Sequence, residues 1–108
     1  MKTFEKYVKN NYESLIEFCV ARREGARMTS EKAKEAGGFS TPTHYHFSAK
    51  LPLYDEIISE LKNNKMPDFE SRYSKIYQKL NGKNHWTMKE FQSLTGKLEV
   101  LGEISIQR

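Results

Sequence analysis

Only one cysteine, Cys19, occurs in the 108 residues, so the chain can form neither an internal disulfide nor a cysteine-rich zinc site. Cys19 sits between Phe18 and Val20 in an apolar stretch and reads as a small buried hydrophobe, with the cytoplasm as the expected compartment. Prolines number three and glycines six, too few for a linker or a low-complexity tract. No apolar run approaches the roughly 18 residues a membrane helix needs. The stretch Met1–Tyr7 carries two lysines with no apolar segment behind it, so a secretory signal is not expected. No glycine-rich phosphate loop, nucleophile elbow or two-histidine zinc helix is present, and the chain is therefore read as a non-enzyme with no cofactor.

The apolar side supports one packed domain over residues 1–108. Leu, Ile, Val and Phe number 23, just above the level of about 20% below which disorder is expected. Six Phe, six Tyr and one Trp add bulk to a core. The net charge is +4 with a pI near 9.2. The excess is spread: residues 1–30 carry six cations against four acids, 31–65 five of each, and 66–108 seven against five. This permits a polyanionic partner without requiring one.

Helical periodicity dominates the order of residues. Phe4, Tyr7, Val8, Tyr12, Leu15, Ile16 and Cys19 make an amphipathic stripe and predict a helix over residues 2–23 that stops near Gly25. Thr29 or Ser30 can cap a short helix over 30–36, with Gly37 as its left-handed end. Ser40-Thr41-Pro42 starts another over 42–50, in which Phe39, Thr43, Phe47 and Leu51 share the inward face. Pro52 opens a further helix, closed by the polar run Lys62–Lys65. Pro67-Asp68 opens the next, closed at Asn81-Gly82. Thr87 and Glu90 form a capping box. The C-terminal stretch leaves two arrangements. Either a helix runs over 88–101 with Gly102 at its end and a strand over 103–107, or it stops at Thr95-Gly96 and a hairpin turns around Gly102. The expected fold is mainly α, a compact bundle of five or six helices with one short C-terminal strand or hairpin.

Residues 29–50 carry the functional signal. Two short helices flank Gly37-Gly38-Phe39, and Ala33 and Gly37 stand four apart, as the small residue and the turn glycine usually do in such pairs. This stretch resembles the helix-turn-helix DNA-binding proteins as a broad group. The resemblance implies a second helix in the major groove of double-stranded DNA, and a dimer on two half-sites. The stripe of the first helix is the surface expected to make the homodimer. With the inward face set as above, Thr41, His44, Tyr45 and Ser48 point outward toward bases or phosphates. Arg22, Arg23, Arg27, Lys32, Lys34 and Lys50 flank them as phosphate contacts. The alternative is a helical protein–protein interaction module with no nucleic-acid role.

Three other groupings carry less. His44 and His46 are two apart, so on a helix they diverge by about 200° and do not form a metal pair. Asp55, Glu56 and Glu60 read as favourable acids early in a helix rather than a catalytic pair. Trp86 reads either as a hydrophobic staple against Phe91 or as a stacking platform for bases, with Lys75, Lys79, Lys83 and Lys89 around it.

Overall fold

Four helices and no strand make up the described part of the chain: α1 (Lys2–Gly37), α2 (Pro42–Lys62), α3 (Phe69–Asn81) and α4 (Met88–Gln107). The structure is a computed structural model that describes the backbone of residues 2–107 and the side chains of residues 12–106. The chain is helical as its periodicity predicts, but the expectation of five or six helices with a C-terminal strand is wrong, because three expected breaks are absent.

The first absent break lies at Gly25. α1 continues to Gly37, through what was read as a separate helix over 30–36. Ala26 and Ser30 continue its buried stripe, at 5% and 6% exposure. Such small and polar residues leave no apolar signature in the sequence. Arg27 bridges the weak point, pairing with Glu24 at 2.5 Å and Glu31 at 2.7 Å. A methyl group at Gly25 would meet nothing within 4 Å. Gly25→Ala is therefore expected to stabilise the protein by about 0.5–1 kcal/mol, read as a raised midpoint in urea.

The second absent break lies at Pro52, which sits inside α2. Its ring leaves the Ser48 carbonyl without its usual helical amide. Burial on both sides of it outweighs that loss: Lys50 precedes it, and Tyr54, Ile57, Ile58 and Leu61 follow. The third lies at Gly102; a stop at Gly96 belonged only to the second of the two C-terminal arrangements. α4 runs through both Gly96 and Gly102 to Gln107. The alternation of Glu103–Gln107 fitted a strand, but Ile104 is fully buried and Ile106 is 82% exposed. Ile104 follows Val100 and Leu101 at helical spacing, and all three are fully buried.

Hydroxyl and carboxylate caps set the helix starts. Thr41 Oγ1 accepts from the His44 amide at 3.2 Å, with Pro42 next in the first turn. Asp68 Oδ1 accepts from the Ser71 amide at 3.0 Å, and Thr87 Oγ1 from the Glu90 amide at 3.1 Å. Between α1 and α2 the left-handed residue is Gly38 (φ 82°), one place later than expected.

α1 packs along α2, α2 on α4, and α4 on α3, giving a body of 52 × 33 × 19 Å. Leu15, Cys19, Ala26, Tyr54, Ile57, Leu61, Phe69, Leu101 and Ile104 form a continuous core. The part of the α1 stripe that is described, Tyr12 to Cys19, packs into this core and is not left over for a second copy. Phe4, Tyr7 and Val8, which complete the surface expected to form a dimer, lie outside the described side chains. No helix among the described residues is long and apolar enough to cross a membrane.

Burial pushes the Cys19 thiol up to about 11, so little thiolate exists at neutral pH. We expect a thiol reagent to leave the native protein unlabelled over minutes and to label it fully in denaturant. Rapid native labelling would contradict the burial.

Candidate nucleic-acid interface

Most of the polar residues expected to face DNA are bound inside the protein. The segment 29–50 is the hairpin of two long helices, the end of α1 and the start of α2, not two short helices around a turn. Its facing also differs from expectation. Phe39, expected inside, is 61% exposed. His44 and Ser48, expected outside, turn toward α1: the Ser48 and Ser30 hydroxyls are 2.7 Å apart, and His44 Nδ1 lies 3.2 Å from the Ser30 carbonyl. The Thr41 hydroxyl serves as the cap of α2. Tyr45 is half-buried, with Lys89 Nζ 6.0 Å from its ring centre. Phe47 is only partly buried.

The cations of that segment are mostly paired. Arg23 holds Asp55 with two hydrogen bonds, at 2.5 and 3.1 Å, and this contact raises the guanidinium's already high pKa. Arg27 is held between Glu24 and Glu31. Arg22 lies 3.7 Å from Glu103. Lys34 covers the Phe39 ring at 4.6 Å. Lys50 is buried, its Nζ 2.6 Å from Glu99 Oε1. Lys32 alone of the six is exposed with neither an ion pair nor a ring contact among the described residues.

Glu99 joins α4 to α2 through two residues. Its Oε2 is 2.9 Å from His46 Nε2, while Oε1 takes Lys50. Burial pushes the Glu99 carboxyl up, but the hydrogen bonds from Lys50 and His46 outweigh it and hold the group below the usual carboxylate range. His44 faces α1 and His46 faces α4, so the two imidazoles do not converge. Among the described residues no three His, Cys, Asp or Glu side chains stand close enough to hold a metal ion.

A further group of cations without ion pairs stands together on α3 and α4. Lys75, Lys79, Lys89 and Lys97 form no ion pair among the described residues. They line two neighbouring clefts. The first, of about 390 Å³, has Leu53, Ile76 and Leu101 in its wall, with Arg72, Lys75, Lys97 and Glu56 around it. The second, of about 230 Å³, is lined by Lys79, Lys89, Lys97, Trp86, Ser93 and Glu90. Lys97 belongs to both. Arg72 pairs with Glu60 at 2.6 Å, and its buried Nη1 has no hydrogen-bond partner, with Glu56 standing 3.7 Å away. Glu90 is occupied by Lys83 at 3.2 Å and by the Thr87 hydroxyl, which hold its carboxyl below the usual range.

Trp86 lies in the connection between α3 and α4, half-buried. Its indole N–H donates to the Leu80 carbonyl at 3.1 Å, and Lys83 Nζ lies 4.7 Å from the ring centre. Sequence reasoning named Lys75, Lys79, Lys83 and Lys89 around this ring but missed Arg72 and Lys97. The i, i+3, i+7 spacing of Arg72, Lys75 and Lys79 was the signal available for the first. Lys97 reaches the clefts only because α4 folds back along α3.

Compared with family models, curated proteins and solved structures, the chain matches none.

Proposed function

We propose that this protein is a small, non-enzymatic helical module that binds nucleic acid through its phosphates, using the α3–α4 face. The observation that carries this reading is the set of four lysines without acid partners around two adjoining clefts. Unpaired cations on one face can be neutralised by a partner's phosphates at no cost in broken ion pairs, and counterion release then favours binding. Arg23, Arg27 and Lys50 must first give up carboxylates to do the same. That makes a recognition helix within 29–50, reading double-stranded DNA, the weaker form of the proposal. A cytoplasmic setting belongs to the same reading.

A titration of labelled DNA over salt tests it. Binding should fall steeply as salt rises, and Lys75→Gln, Lys79→Gln and Lys97→Gln should each weaken it and flatten the salt slope by about one unit. Arg23→Ala and His44→Ala should leave the slope unchanged. If the arginine and histidine variants lose binding while the lysine variants do not, the interface is the 29–50 hairpin instead. No binding even at low salt removes the nucleic-acid reading.

One observation favours the second reading, a protein-interaction module. Tyr73 and Tyr77 are stacked at 6.2 Å on the outside of α3, at 38% and 49% exposure. An exposed aromatic pair is the kind of anchor that protein interfaces use.

A further inference from the structure

We infer that the nucleic acid taken by the α3–α4 face is single-stranded, with a base stacked on Trp86 and the backbone following Lys79 and Lys75 along α3. This rests on the nucleic-acid reading above and adds the class of strand. The argument starts from the ring. Trp86 is held in place by its N–H bond to Leu80, so its orientation is fixed before any ligand arrives. It lines the same cleft as Lys79, Lys89 and Lys97. Lys83 Nζ stands over one face of the ring, 4.7 Å from its centre, so a base would stack on the other face, with its phosphate on the unpaired ammonium groups of the cleft. In a duplex the base faces are covered by their neighbours, so only an unstacked base can reach a ring set in a cleft.

The second cleft leads to the first through Lys97, which lines both. From Lys79 to Lys75 α3 rises by about 6 Å. That suits two neighbouring phosphates of one strand. The acids facing this path are Glu90, Glu56 and Glu60. Glu90 is engaged by Lys83, and Glu60 by Arg72, which Glu56 also approaches. Glu99 and Glu103, the other acids of α4, face α1 and α2 through Lys50, His46 and Arg22.

Trp86 is the only tryptophan, so the protein's own fluorescence reports on this site. The experiment titrates the full chain with an oligothymidylate of about 12 nucleotides, within the span of single-strand binding sites. The same-length duplex and polyglutamate serve as comparisons. We expect saturable quenching by the single strand, and binding to the duplex weaker by at least about tenfold. By anisotropy of a labelled strand, Trp86→Leu should bind about 5- to 150-fold more weakly, the loss of one stacked base. Should Trp86→Leu fail to fold by circular dichroism, Trp86→Phe replaces it and should retain more than half of the binding free energy. Equal binding of duplex and single strand with unchanged emission overturns this inference and leaves the nucleic-acid reading standing. Quenching by polyglutamate at equal strength also overturns it, since charge alone would then explain the site. If neither nucleic acid binds at low salt, both readings fall.

Discussion

Gly96→Ala is expected to destabilise the protein by about 1–3 kcal/mol, even though alanine is the better helix former by about 1 kcal/mol. At Gly96 a Cβ would stand 2.4 Å from the His46 carbonyl oxygen, closer than real contacts allow. The obstacle is backbone within α2, so relief requires moving a whole helix. Shifting α2 away from α4 would also strain the contacts of Glu99 with Lys50 and His46. Chemical denaturation reads the effect directly. The comparison with Gly25→Ala sharpens it, because the same change in an open helix position carries the opposite sign. A Gly96→Ala protein as stable as the parent would mean that α2 and α4 do not approach this closely.

The second large effect concerns Glu99. Glu99→Leu is expected to cost about 2–4 kcal/mol, because it leaves Lys50, whose side chain is 5% exposed, without its counter-charge. The figure is set below the full cost of breaking a buried pair because the Glu99 side chain is 44% exposed and water screens it. Lys50→Met should be far milder, or stabilising, since it removes the buried charge and leaves Glu99 to His46 and solvent. The pH dependence has a definite sign. Glu99 has a folded pKa below its unfolded value, so its contribution is complete above about pH 5 and is lost as the pH falls through the folded value. Thermal melts between neutral and acid pH should show a steeper acid loss in the parent than in Glu99→Gln. Equal acid limbs would mean that Lys50 and His46 do not hold this carboxylate in solution.

What was legible before folding is local. Thr41, Asp68 and Thr87 announce helix starts because their oxygen acceptors lie within three residues of the amides they cap. The Leu15–Cys19 stripe announces its buried face because helical spacing alone brings such residues together. The breaks at Gly25, Pro52 and Gly102 were misread for one reason: propensity weighs each residue alone, whereas burial of Ala26, Tyr54 and Ile104 is decided by a neighbouring helix. Glycine at 96 reads as a weak point in a helix, yet it is the residue that lets α4 approach α2.

The candidate interface divides the same way. By itself the sequence determined a mainly helical chain with one cysteine, a modest basic excess, and a single tryptophan among lysines. It could not determine where the charge lies free, since residues 66–108 carry seven cations and five acids in mixed order. Only the tertiary structure separated them. The fold carries Glu99 and Glu103 of α4 to the α1–α2 side, where Lys50 and Arg22 pair with them and His46 shares a hydrogen bond with Glu99. It leaves Lys75, Lys79, Lys89 and Lys97 together on the opposite pairing of α3 with α4. The physical reason is reach. An ion pair needs atoms within about 4 Å, and for residues some fifty positions apart, as Lys50 and Glu99 are, only the packing of one helix on another supplies that distance.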